Sequence, residues 1–142
     1  MNVEEMLEVF GEFDPSEYQE EARDRWGHTD LYEESVRRTK SYGKDQWKEA
    51  GAEGRAIGRR FADLMGSGAE ATDRTAMDLA EQHRRYISRW FYTCSYEVHA
   101  GLGDMYVADP RFTRYWEGFR PGLALFVRDA LQANAGRAKS EQ

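Results

Sequence analysis

Every periodic stretch of this 142-residue chain repeats near 3.6 residues, and no run shows the convincing period-two alternation of a half-buried strand. The cap residues agree with that period. Asp14-Pro15-Ser16-Glu17 supplies an N-cap, a first-turn proline and an acid at N3, opening a helix that runs to about Trp26 and stops at Gly27. A short amphipathic stretch with Val3, Leu7 and Phe10 precedes it. Thr29-Asp30 caps a helix to roughly Tyr42, ended by Gly43, and a longer one follows from about Lys44 to Met65 with Ile57, Phe61, Leu64 and Met65 on one face. Gly66-Ser67-Gly68 is the clearest loop. Thr72 or Asp73 then opens a helix whose Ala76, Ala80, His83, Ile87 and Trp90 form a stripe. Ser95 caps the next, with Val98, Leu102, Met105 and Tyr106 inward, and Asp109-Pro110 starts a short helix holding Phe112, Tyr115 and Trp116. Pro121 starts the last, where Leu123, Phe126, Val127, Ala130, Leu131 and Asn134 recur until Gly136. The expected fold is all-α, with about six or seven helices joined by short connections in a single domain spanning 1–142.

A chain of this size buries enough surface to fold without metals or disulfides. One cysteine excludes an internal disulfide framework and fits a reducing, cytoplasmic setting. No apolar run reaches membrane-spanning length. A formal charge of −6 argues against binding phosphate backbones, so no direct nucleic-acid partner is expected. The first 21 residues carry eight acidic side chains and no basic one, the composition of a solvated face. Gly51, Gly54 and Gly58 share one face of the long helix, each costing about 1 kcal/mol relative to alanine. Either a neighbour approaches closely there or that helix is only marginally stable.

The aromatic residues are distributed unevenly: ten of 19 lie between Tyr86 and Phe119. Tyrosine and tryptophan combine apolar area with a polar tip, as concave small-molecule sites require. Among them Cys94 sits between two helices, where burial as a small hydrophobe is the ordinary outcome. His28, His83 and His99 lack metal-ligand spacing, so no metal is expected. His83 lies on an apolar stripe and reads as a hydrogen-bonded core histidine, while His99 follows Tyr96 by nearly one turn and is better placed for function. No nucleophile–base pair, glycine-rich phosphate loop or Glu-x-x-His motif appears, which argues against an enzyme.

These residues carry a resemblance. The run Glu20-Glu21-Ala22-Arg23-Asp24-Arg25-Trp26-Gly27-His28-Thr29-Asp30, the triplet His83-Arg84-Arg85, Tyr92-Thr93-Cys94-Ser95-Tyr96-Glu97-Val98-His99 and the stretch from Gly103 through Pro110 to Thr113 resemble the TipA-S family, as does the ending from Pro121 to Ala135. The family comprises antibiotic-recognition domains, found at the C-terminus of MerR-type transcriptional activators and as free-standing proteins. The resemblance implies a globin-like helical fold without haem or other cofactor, and a cleft for large, flat heterocyclic antibiotics. It also implies a division into mobile N-terminal helices (1–66) that close over ligand, a firm helical core (67–137) and a frayed tail (138–142). No MerR-type DNA-binding or dimerisation segment precedes Met1, so the chain is expected to be a free-standing sequestering form or an excised effector half, oligomeric only through such a segment. The resemblance places a capturing cysteine at Gly101 and a second at Cys94. With glycine at 101, either Cys94 substitutes or binding is non-covalent; non-covalent binding is the expectation.

The expected ligand site draws ring faces from Trp26, Tyr92, Tyr96, Tyr106 and Tyr115, polar groups from His28, Asp30 and His99, and takes in Cys94 and Gly101. Trp90, Phe91, Phe112 and Trp116 are assigned to the core. The glycines and the acidic start weaken the N-terminal third locally. Amide exchange over residues 14 to 58 should therefore slow sharply when antibiotic is added; equal protection with and without ligand would rule out a closing lid.

Overall fold

The computed structural model describes residues 30–140, with side chains from residue 33 onward. The helix expected after Asp14, the amphipathic start, Trp26, His28 and the side chain of Asp30 fall outside the described residues. Six helices and no strand occupy them: α1 Asp30–Lys40, α2 Lys44–Gly66, α3 Arg74–Trp90, α4 Tyr96–Ala108, α5 Pro110–Glu117 and α6 Leu123–Ser140. No helix among the described residues is long and apolar enough to cross a membrane. The chain divides into two compact units, one taking the described residues up to Gly54 with Ile87–Thr93, the other Arg55–Tyr86 with the described part of Cys94–Gln142.

In the first unit, aromatic packing and a few directed bonds tie α1 and the start of α2 to the end of α3. Gln46 Oε1 accepts from the Gly43 amide at 2.9 Å, the reach-back half of a capping box at the start of α2. Tyr42 stands edge-on to Trp47 and to Trp90, with centroids 5.6 and 5.7 Å away, and its hydroxyl donates to the Trp90 carbonyl at 2.6 Å. The Trp90 indole N–H finds Glu53 at 2.8 Å, satisfying the polar tip of a buried ring. Glu34 accepts from the Thr93 amide at 3.0 Å and pairs with Arg38 at 2.6 Å, while Arg38 also donates to the Ser88 carbonyl.

In the second unit, α2 ends in a Schellman motif. The Ala69 amide donates to Leu64 O and the Gly68 amide to Met65 O, both at 3.1 Å. Gly68 adopts φ +90, a conformation that glycine enters without steric cost. The question posed by the α2 glycines is answered at Gly58: a Cβ there would lie 2.6 Å from the Phe119 ring, so the missing side chain makes room for an aromatic one. Phe61 meets Trp116 and Phe126 edge-on at 6.2 and 6.4 Å, and the expected α3 stripe is buried throughout.

Helix α4 packs against α6 and α5, and α5 against α6. Its inward face differs from the one read in the sequence. His99, Gly103 and Tyr106 are buried, whereas Val98, Leu102 and Met105 are half-buried. The cause is Gly103, where a Cβ would lie 3.2 Å from Arg128 Cα. The two backbones approach through the glycine, and the 99–103–106 line becomes the contact. Ser95 caps α4 by accepting from Val98 N at 3.1 Å, and Asp109 caps α5 by accepting from Arg111 N at 3.0 Å. Glu117 accepts from the Gly122 and Ala124 amides and so holds the start of α6. That helix continues through Gly136 to Ser140, past the expected stop, with Arg137 paired to Asp78 at 2.8 Å and bonded to Asn134 at 2.6 Å.

Glycine substitutions separate crowded from open helix positions. Gly103→Ala presses on the Arg128 backbone and should cost about 1–3 kcal/mol. A Cβ at Gly136 meets nothing within 4 Å, so Gly136→Ala should stabilise by about 0.5–1 kcal/mol. Urea denaturation of the two variants checks both signs.

Candidate ligand site

A polar network in the second unit links α3, the start of α4 and α6, and Arg84 organises it. About two turns from its C-terminal end, α3 presents Glu81 and Arg84 at i,i+3 spacing. The guanidinium grips the carboxylate twice, Nη2 to Oε2 at 2.6 Å and Nε to Oε1 at 3.1 Å. Its remaining nitrogen, Nη1, donates to the Cys94 carbonyl at 2.8 Å. Its Cζ lies over the Tyr96 ring, 4.2 Å from the centroid. Glu81 also accepts from Asn134 Nδ2 on α6 at 3.1 Å. Burial alone would raise the Glu81 pKa; the bonds to Arg84 and Asn134 override it and hold the carboxyl at about 2.

Beneath this network lies a histidine couple. His83 Nδ1 and His99 Nε2 are 2.8 Å apart, the rings stack with centroids at 5.1 Å, and both side chains are buried. His99 Nδ1 has no hydrogen-bond partner among the described residues. If His83 donated, His99 would carry a buried N–H with no acceptor. With His99 Nε2–H donating to His83 Nδ1, only a bare acceptor is left, the less costly arrangement. Desolvation holds both imidazoles neutral far into acid, and at His99 the Arg84 charge and any protonation of His83 oppose charging further.

The expected site residues are dispersed. Tyr96 is half-buried beside Arg84. Tyr115 is half-buried and edge-on to Trp116 and Phe119 at 5.3 Å each; burial raises its hydroxyl pKa against the pull of Arg55 and Arg59. Tyr92 is half-buried and belongs to the first unit. Cys94 is fully buried, and burial pushes its thiol up to about 12. Gly101 is exposed on α4, with open space where a Cβ would stand. His99 and Tyr106 are placed in the core: His99 against His83, and Tyr106 between Phe112 at 5.6 Å and Trp116 at 5.3 Å. Of the residues assigned to the core, Trp90, Phe112 and Trp116 are buried and Phe91 is half-buried. Glu81 and Asn134 were not singled out for the site by sequence. The available signals were the Glu81/Arg84 spacing and the one polar residue, Asn134, on the apolar stripe of α6. No group of three metal-ligating side chains occurs among the described residues.

Residues 18–134 match the profile of the TipAS antibiotic-recognition domain. Over 137 residues the chain is 51% identical to the HTH-type transcriptional activator TipA of Streptomyces coelicolor, covering 96% of this chain and 54% of that protein. It thus spans about half the length of the curated relatives it matches. A solved structure of TipAS from Streptomyces lividans in complex with nosiheptide superposes with a TM-score of 0.90 at 49% identity, covering 97% of this chain and 96% of that one. The antibiotic-binding domain of a TipA-class multidrug resistance transcriptional regulator matches with a TM-score of 0.60 at 48% identity, over 65% of this chain and 98% of its own. The all-α, globin-like fold is shared with these domains.

The histidine couple makes stability pH-dependent in a definite direction. Both folded-state pKa values lie below the ordinary 6.5, so the unfolded chain binds more protons in mild acid. Stability should be full above pH 6.5 and fall progressively as pH drops below it. Urea midpoints at pH 7.5, 6 and 5 check this, and His99→Gln should flatten the decline.

Proposed function

This chain belongs to the TipAS antibiotic-recognition domain family, and we propose that it binds and sequesters large heteroaromatic antibiotics of the thiopeptide kind, reversibly and without altering them. The observation that carries this reading is the likeness along nearly the whole chain to a relative solved with nosiheptide bound. The local chemistry supports it. Tyr92, Tyr96 and Tyr115 keep part of their rings out of the core, and ring area buried against a flat ligand is worth about 25 cal/mol per Å² before ordering costs. The ligand stays whole because the groups around Tyr96 (Glu81, Arg84, the Cys94 carbonyl) are spent on one another and form no nucleophile–base pair.

Reversibility follows from the thiol. Cys94 is buried with a pKa near 12, so its thiolate fraction at neutral pH is very small, and Gly101 offers no nucleophile. A second reading, a drug-sensing effector domain of a MerR-type activator, is favoured by the relatives' description as HTH-type transcriptional activators and by the share of their length that the chain spans. The genomic reading frame upstream of Met1 separates the two: a contiguous DNA-binding segment makes the chain an effector half, and a start codon with no such segment makes it a free-standing sequestering form.

Nosiheptide should raise the Tm of the chain and be recovered with its mass unaltered. Intact-protein mass spectrometry should find no rapid adduct with a dehydroalanine-bearing thiopeptide, and a stoichiometric adduct abolished by Cys94→Ser would overturn reversible binding. Tyr96→Ala should weaken affinity with limited loss of stability. Tyr106→Ala removes a core ring and should cost about 3–5 kcal/mol of folding energy.

A further inference from the structure

We infer that Arg84 is the positioning residue of the ligand site, setting the Cys94–Ser95 turn and the Tyr96 ring in the arrangement that receives a ligand. The inference rests on the reading of Tyr96 as a ligand-facing ring. Its basis is that one planar group is used in three directions at once. Two donors lock onto Glu81, a third reaches the Cys94 carbonyl, and the carbon at the centre of the group sits over the Tyr96 ring. Only a guanidinium can do all three, because its donors lie in the plane and leave its faces free to stack.

The anchor is firm. Glu81 is held in turn by Asn134, a fully buried residue of α6, and Asn134 is held by Arg137, which pairs with Asp78. Arg84 is therefore fixed from behind before it touches the turn. The turn it fixes carries Ser95, whose side chain caps α4, so the first residue of that helix is set by the same contact. With the guanidinium over one side of Tyr96, the half-exposed remainder of the residue is the surface left for a ligand.

The test is Arg84→Lys, which keeps the cation and a bond to Glu81 but cannot also reach Cys94 O and sit over Tyr96. Nosiheptide affinity by fluorescence titration should fall about tenfold while the Tm stays close to that of the parent chain. The Tyr96→Ala/Arg84→Lys double variant should bind no worse than Tyr96→Ala alone, since Arg84 acts through that ring. In the absence of ligand, backbone amide resonances of residues 93–97 should shift in Arg84→Lys, and more weakly in Glu81→Gln. Wild-type affinity in Arg84→Lys alongside a weakened Tyr96→Ala overturns the positioning role and leaves the site reading standing. Fully additive losses overturn it too, as do unmoved 93–97 amides. If Tyr96→Ala binds like the parent chain, the site reading fails first and the inference with it.

Discussion

A carboxylate taken partly out of water must be met by donors, and Glu81 sets that requirement for the helices around it. Its charge draws Arg84 from the same helix and Asn134 from α6, and Arg84 in turn covers Tyr96 at the start of α4. Removing Arg84 outright would leave that carboxylate poorly compensated, which is more costly than the net worth of the bonds themselves. The network therefore supplies direction more than it supplies energy. It determines which turn of α3 faces the Cys94 carbonyl and how α4 begins.

Below that network the apolar interior is shaped by absent side chains as much as by present ones. Gly58 admits the Phe119 ring, and Gly103 admits the backbone of α6 at Arg128. Each forfeits helix propensity locally and regains it through closer packing, a trade that favours folding only when the neighbour arrives. The His83–His99 couple fits the same interior. Two imidazoles sharing one proton bury their polar atoms at the cost of a single unpartnered nitrogen, and they stay neutral because water is excluded.

The tyrosines divide between two duties. Tyr106 is enclosed by His83, Phe112 and Trp116 and holds the α4–α5 corner, where Thr113 also bonds its carbonyl at 2.7 Å. Tyr96 is held by polar contacts on one side and left half-exposed on the other. The same residue type serves core and candidate ligand surface, and what separates the two is whether apolar neighbours cover both faces of the ring.

Sequence alone determined the helical class, the caps at Ser95 and Asp109, the α3 and α6 stripes and the burial of Cys94. Each of these follows from period, cap chemistry or the habits of one residue type, all local properties. The family was legible for the same reason, since its motifs are contiguous runs. Tertiary structure alone decided the rest. The α4 face turned toward His99 and Gly103 because of where the α6 backbone passes, and Tyr106, inward on the α4 period, found its ring partners because α5 folds over it. Arg84 acquired its place because Asn134, far away in the chain, anchors its partner Glu81. Such assignments depend on contacts between residues distant in sequence, and no local pattern encodes which distant group will arrive.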